Sequence, residues 1–266
     1  MDGFEPATVA GLFLELASET RCSILASLGN RPAKLSTLAR ELDITVQDVH
    51  RNLNRMAESG LVKRDDGTFR LTEFGRAVTR QIPYFLFMKN HSEFFEEHTL
   101  EGLPTKFAQR IASLKNCEFI GQVTPVLERL RKLESSAASS LKIMVSQAWV
   151  EEGRILAEKA AGGAEVLTIV GRNTVFPREV VESIMPPLDK LSRSDMMKGR
   201  IVDHVSTAIY IADGQAAVMF PTLKGEPDMG SMFLGKEPAF IEWCNDLFDH
   251  TWSQALPFDS RKVKVV

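Results

Sequence analysis

Cysteine is scarce in this chain: three in 266 residues, far apart at Cys22, Cys117 and Cys244. They form no CxxC pair, no metal-ligand spacing and no disulfide framework. Long apolar runs are missing too, since no stretch approaches the roughly 18 residues of a membrane-crossing helix. The first residues, Met1-Asp2-Gly3-Phe4-Glu5-Pro6, lack the basic start and the cleavage site of a secretory signal. There is no internal repeat and no low-complexity tract. These absences lead to the expectation of a cytoplasmic protein with no membrane partner, no metal and no cofactor. The remainder is ordinary: 44% hydrophobic and 25% charged residues, enough to bury a core. The length fits one large domain or two ordinary ones, and two is the expectation.

Charge is unevenly distributed. The net value is −3, yet residues 21–80 carry 11 Lys+Arg against 7 Asp+Glu, leaving 21 against 28 elsewhere. Widened to residues 1–90 the balance is 12 against 11, so the basic segment is narrow. It hints at a nucleic-acid-facing N-terminal part.

Apolar spacing predicts a first helix from Ala7 to Leu28, ended by the turn Gly29-Asn30-Arg31-Pro32. Ser36 is expected to cap a short second helix carrying Leu38, Ala39 and Leu42 inward. Thr45 and Asp48 have the spacing of a capping-box variant, opening a third helix over 45–59. On that helix Val49, Leu53 and Met56 share one face, and Gln47, His50, Arg51 and Asn54, at offsets 0, 3, 4 and 7, share another. Gly60 ends it. The segment 61–71 then reads as strand, Asp-Gly turn, strand, with basic residues on both arms.

Three short helices and a hairpin are the plan of a winged helix-turn-helix. A helix fits the major groove of double-stranded DNA, where Arg51 can pair with guanine and Gln47 or Asn54 with adenine. Lys63, Arg64 and Arg70 would meet phosphates or a minor groove. The helix starts at Ser36 and Thr45 could hold phosphate, and His50 and Arg55 complete the candidate DNA-binding set.

A helix from Thr72 is expected to run towards Ile82 and to be interrupted or kinked at Pro83. The apolar run Pro83-Tyr84-Phe85-Leu86-Phe87-Met88 is either core or a partner-facing surface, and a homodimer is the expected use. Residues 91–138 read as largely helical. Beyond them Leu141–Val145, a helix over 149–161 and the strand 164–170 predict a crossover unit with parallel strands, followed by a helix over 178–191. Shorter strands are expected at 200–203, 207–212 and 216–220, and a closing helix over 240–255. The fold class is therefore α+β: winged helix over 1–82, helical connector and dimerisation region over 83–138, and an α/β domain with a mixed sheet over 139–266.

The runs Leu16-Ala17-Ser18-Glu19-Thr20-Arg21-Cys22-Ser23-Ile24-Leu25, Leu35-Ser36-Thr37-Leu38-Ala39-Arg40-Glu41-Leu42 and Val49–Val62 resemble the ArsR-like winged-helix regulators. Some of those sense metals, but Cys22 has no neighbouring thiol and reads as a buried small hydrophobe. Phe94-Phe95-Glu96-Glu97-His98, Leu103-Pro104, Leu114–Glu118 and Trp243–Phe248 resemble archaeal regulators of the methanogenesis-regulator type. The resemblance implies a transcription regulator whose C-terminal domain is distantly similar to the phospholipase-D-type domains of TrmB sensors. Phospholipase D chemistry needs lysine two residues after a nucleophilic histidine. The residues two beyond His50, His91, His98, His204 and His250 are Asn52, Glu93, Leu100, Ser206 and Trp252. With no Gly-x-Ser-x-Gly elbow and no phosphate loop either, an enzyme is not expected.

Ligands of open parallel sheets lie beyond the carboxyl ends of the strands. Ser146, Gln147, Arg172, Asn173 and His204 follow three such ends, with Trp149 as a lid, so together they form a candidate mouth for a small-molecule effector. A protein–protein adaptor that docks through a winged helix is the alternative, and contact with the transcription machinery is a further expected partner.

Overall fold

The computed structural model describes residues 5–172, 174–184, 197–259 and 264–265. By contact density the chain divides into two units, Met1–Phe85 and Leu86–Val266.

In the first unit α1 (Pro6–Leu16), α2 (Glu19–Asn30), α3 (Leu35–Glu41) and α4 (Val46–Glu58) precede a hairpin of β1 (Val62–Asp65) and β2 (Thr68–Leu71). The single helix expected over 7–28 is two helices. Ser18 takes an extended backbone and its hydroxyl accepts the Arg21 N–H, so a cap falls inside an apolar pattern that continues across the break. The core is formed by Ile24, Leu25, Leu38, Val49, Leu53, Met56 and Leu61, all fully buried, each contributing about 1.5–3 kcal/mol by leaving water. Asp66 and Gly67 both have positive φ, +44° and +73°, as the two-residue hairpin turn demands. Ala33 adds a third element: it exchanges backbone hydrogen bonds with Phe69 at 3.0 and 2.8 Å.

Helix α5 (Glu73–Asn90) runs through Pro83 rather than stopping there. The proline removes one backbone bond at a cost of about 3 kcal/mol. Packing offsets this, since Val78 joins the first unit's core and Phe87, only 2% exposed, joins the second's.

The second unit is built on an eight-stranded mixed sheet. Its strands are β3 (Glu118–Gly121), β4 (Ser140–Val145), β5 (Glu165–Gly171), β7 (Met197–Val202), β8 (Ala208–Ala212), β9 (Gln215–Met219), β10 (Ser231–Gly235) and β11 (Leu256–Pro257), in the order β11-β7-β5-β4-β8-β9-β10-β3. β4, β5 and β7 are mutually parallel, and every other pairing is antiparallel. α9 (Val150–Ala161) is the crossover between β4 and β5. With α8 (Val123–Ser136) it covers one face, and the last long helix α10 (Pro238–Gln254) covers the other with Phe240, Trp243, Leu247 and Phe248. β8 is buried at all five positions, as a strand covered on both faces must be. A separate short pair joins β6 (Val175–Phe176) to β12 (Lys264–Val265) in parallel.

Residues 83–138 are not a free-standing helical connector. Besides the one-turn helices α6 (Phe94–Glu97) and α7 (Thr105–Ala108), they include edge strand β3 and the covering helix α8, both integral to the sheet unit. Of the helix expected over 178–191, a π-helical turn covers Val180–Ile184 and the remainder lies outside the described residues. Phe94, Phe95, Phe220 and Phe233 form an aromatic cluster with His98, which stacks on Phe94 at 3.7 Å and hydrogen-bonds Asp228 at 3.0 Å. Among the described residues no helix is long and apolar enough to cross a membrane, and no group of three His, Cys, Asp or Glu could hold a metal.

Candidate nucleic-acid interface

Helix α4 starts where Thr45 Oγ1 accepts the Asp48 N–H at 3.0 Å and donates to Asp48 Oδ2 at 2.7 Å. The negative carboxylate in the first turn complements the helix dipole. It also occupies the end at which Thr45 was expected to hold phosphate. Val49, Leu53 and Met56 are fully buried, which turns Gln47, His50, Arg51 and Asn54 to solvent. Arg51 pairs with Asp48 at 2.8 Å while its side chain stays 76% exposed. Such a surface pair is worth about 1 kcal/mol or less and can be exchanged for another acceptor. Asn54 and His50 approach at 3.5 Å across one helical turn.

Arg55 departs from this set. Its Nε donates to both oxygens of Glu15, at 2.8 and 3.0 Å. Glu15 lies on α1 with its side chain 10% exposed and also pairs with Arg21 at 3.2 Å. Arg21 donates further to the carbonyls of Glu15 and Leu14 and to Asn52 Oδ1. This network ties α1 to α2 and α4, so Arg55 is an anchor of α4 as well as a surface cation. Sequence reasoning missed Glu15 because its partners lie 6 and 40 positions away. Ser36 is not a cap either. Lys34 holds that position, and Ser36 sits exposed inside α3 without a capping bond. Cys22 is partly buried and donates to the Leu16 carbonyl at 3.2 Å.

In the hairpin Lys63 stands directly opposite Arg70, and Arg64 opposite Phe69. Successive side chains alternate faces, so Lys63 and Arg70 share one face and Arg64 emerges beside the other. Arg70 is held by Asp65 at 2.8 Å, whereas Lys63 and Arg64 form no ion pair among the described residues. These two exposed cations sit on β1, which packs against α4, and Lys63 acts through space on the Glu73 carboxylate.

The candidate mouth in the sheet unit does not form as one site. Ser146 and Gln147, Arg172 and His204 do follow the adjacent ends of β4, β5 and β7. Ser146 is buried, Gln147 is exposed, and Arg172 pairs with Asp203 at 2.7 Å. Asn173 lies outside the described residues. Trp149 and His204 border cavities on opposite faces of the sheet, Ile143 and Val145 lining one and Met144 the other. Trp149 borders a cavity of about 110 Å³ with Ile143, Val145, Thr168 and Val170, on the α9 face. His204 borders one of about 230 Å³ with Met144, Val202 and Thr251, on the α10 face, and hydrogen-bonds the Gly225 carbonyl at 3.0 Å.

A buried carboxyl pair went unrecognised in the sequence. Glu134 of α8 and Glu152 of α9 interact through their side chains, and the Tyr210 hydroxyl donates to Glu152 at 3.0 Å. Burial, then the charge of Glu152, raises Glu134 far above the usual carboxylate range. Burial raises Glu152 less, because Tyr210 O–H and the Trp149 N–H stabilise its charged form. The shared proton therefore resides on Glu134. The acceptance from Trp149, the N-cap of α9, is half of a capping box, a spacing legible in sequence.

Residues 12–88 match the family described as HVO_A0261 N-terminal domain. No curated protein matches the chain. Among solved structures, TrmBL2, described as an archaeal chromatin protein with a novel mode of DNA binding, superposes at TM-score 0.43 with 8% identity, over 90% of this chain and 93% of its own. NUC, a phospholipase D family member from Salmonella typhimurium, gives 0.39 and 13% over 54% of this chain and 97% of its own. A putative O-methyltransferase from Nostoc punctiforme gives 0.28 and 10% over 74% and 63%. The family match thus runs from the end of α1 through most of α5, less than half of the chain, while the structural likenesses are too loose to assign chemistry.

Proposed function

We propose that the protein is a winged-helix transcription regulator of ArsR-like type that binds double-stranded DNA, and that it is not an enzyme. One observation carries the reading. The exposed face of α4 presents Gln47, Arg51 and Asn54 over a fully buried Val49-Leu53-Met56 stripe, beside the exposed Lys63 and Arg64 of β1. A rigid helix with bidentate-capable side chains reads base edges, and flanking cations hold the backbone. On this reading Arg70 and His50 are peripheral contacts and Arg55 acts through α4.

The unit works as a homodimer in this proposal. Phe13 and Leu14 of α1 and Phe85 of α5 are 52, 59 and 49% exposed, and Phe13 meets Phe85 edge-on at 6.3 Å. With that apolar face covered by a second copy, two α4 helices would face successive major grooves, about 34 Å apart. The sheet unit then serves as the regulatory part, taking an effector and contacting the transcription machinery in the cytoplasm.

The test is selection from a random DNA library with purified protein at two salt concentrations, followed by fluorescence anisotropy. The expected result is a repeat with half-sites one turn apart. Arg51→Ala should weaken it by about 1–3 kcal/mol at one base position. Lys63→Ala should weaken all sequences and reduce the salt slope by about 0.9. No enrichment, or an Arg51→Ala variant with full specificity, overturns the proposal; no salt-sensitive DNA binding at all would favour an adaptor.

A further inference from the structure

We infer that the cavity bordered by Trp149 is a binding site for a small apolar amine whose ammonium group pairs with the Glu152 carboxylate. The cavity lies between α9 and the face formed by β4, β5 and β7, closed by Phe176, Val180 and Phe258. Its walls are mainly apolar, and Glu152 is the single ionisable residue among the described residues that line it. At about 110 Å³ it is smaller than the ~150 Å³ apolar cavity known to hold benzene, so the ligand is a short branched chain, smaller than benzene, with one polar head. Trp149, 37% exposed, marks where the cavity meets solvent.

Charge selects the head group. Glu134 and Glu152 are 4 and 8% exposed and face each other. Neither forms an ion pair among the described residues; Arg131 on α8 acts on Glu134 through space. Above about pH 7, with Glu134 still protonated, the pair carries one buried negative charge without a contacting cation, which is unfavourable in a protein interior. The described lining contributes neither lysine nor arginine to relieve it. An ammonium entering the cavity supplies the missing charge and a charge-assisted hydrogen bond, whereas a carboxylate of the same shape is repelled. The site is independent of DNA binding.

The experiment uses the full chain at about pH 8, where Glu152 is ionised and an alkylamine still cationic, and three probes of similar shape, isobutylamine, isobutanol and isobutyrate, in calorimetric titration and ligand-observed NMR. Isobutylamine should bind about tenfold tighter than isobutanol, as a charged hydrogen bond exceeds a neutral one, and isobutyrate should not bind. Glu152→Gln should bring amine and alcohol to equal affinity, and Ala148→Phe, which fills the cavity, should abolish both. Should Glu152→Gln not fold by circular dichroism, Glu134→Gln, which keeps the Glu152 carboxylate, must retain the amine preference. Equal binding of amine and alcohol by the unaltered protein, amine preference surviving in Glu152→Gln, or no binding of any probe overturns the inference.

Discussion

Replacing Glu15 by Gln removes the carboxylate that holds Arg21 and Arg55 together while keeping the side chain's size. Glu15 and Arg21 are each 10% exposed, so the variant leaves a nearly buried guanidinium without its counter-charge. Breaking such a buried pair costs roughly 3–5 kcal/mol. Arg21 keeps its bonds to Glu15 O at 2.7 Å, Leu14 O at 2.9 Å and Asn52 Oδ1, which places the loss near the lower end of that range. The Arg55 pair is half exposed on the arginine side and adds at most about 1 kcal/mol. For a unit of this size about 3 kcal/mol lowers Tm by roughly 12–24 °C. Thermal unfolding of the full chain, followed by circular dichroism and calorimetry, should show the transition of the first unit moving down while that of the sheet unit stays. The variant also frees Arg55, four residues beyond Arg51 on α4, so the salt slope of nonspecific DNA binding should steepen by up to about 0.9 per protomer. A Tm shift below about 4 °C would refute the claim that Glu15 anchors α4. An unchanged salt slope would mean that Arg55 does not reach DNA.

Leu53→Ala empties a fully buried position in the first core and should cost about 2–5 kcal/mol in urea unfolding, with m unchanged. Gly67→Ala forces an alanine to φ +73° in the hairpin turn and should cost about 1–2 kcal/mol by the same assay. Gly75→Ala should cost more than Gly67→Ala, because a Cβ there would overlap the Leu61 carbonyl. The carboxyl pair makes stability of the sheet unit fall with rising pH. Both folded-state pKa values are raised, so the stabilisation is fully present below about 4.5 and is lost as pH passes about 7 and then about 9. Calorimetric melts from pH 5 to 9.5 should show this decline in the wild type and a flatter profile for Glu134→Gln; identical profiles would mean the pair is not protonated in the fold.

Interactions over one or two turns of chain were legible from residue order alone. The 3–4 spacing of Val49, Leu53 and Met56 marks the buried side of α4 and so names its exposed side. Thr45 and Asp48 announce its start, Asp66-Gly67 allows only the tight turn, and the apolar runs around Val145 and Val170 enclose a crossover helix. In each case the partners lie within a few residues, where backbone sterics and helical or strand period settle the outcome. What only the tertiary structure decided depends on partners remote in sequence. Ser18 splits an apolar pattern that looks continuous, because its hydroxyl and the Arg21–Glu15 network outweigh helix propagation. Glu118–Gly121 becomes a strand because β10 offers an edge. Trp149 and His204 follow strands that end together, yet they border cavities on opposite faces of the sheet. Glu134 and Glu152, on two different helices, meet where those helices pack beside β8. Residue type and spacing determine which side chains a helix or strand presents; which of them meet, and in what dielectric, is set by the packing of elements that residue order alone does not bring together.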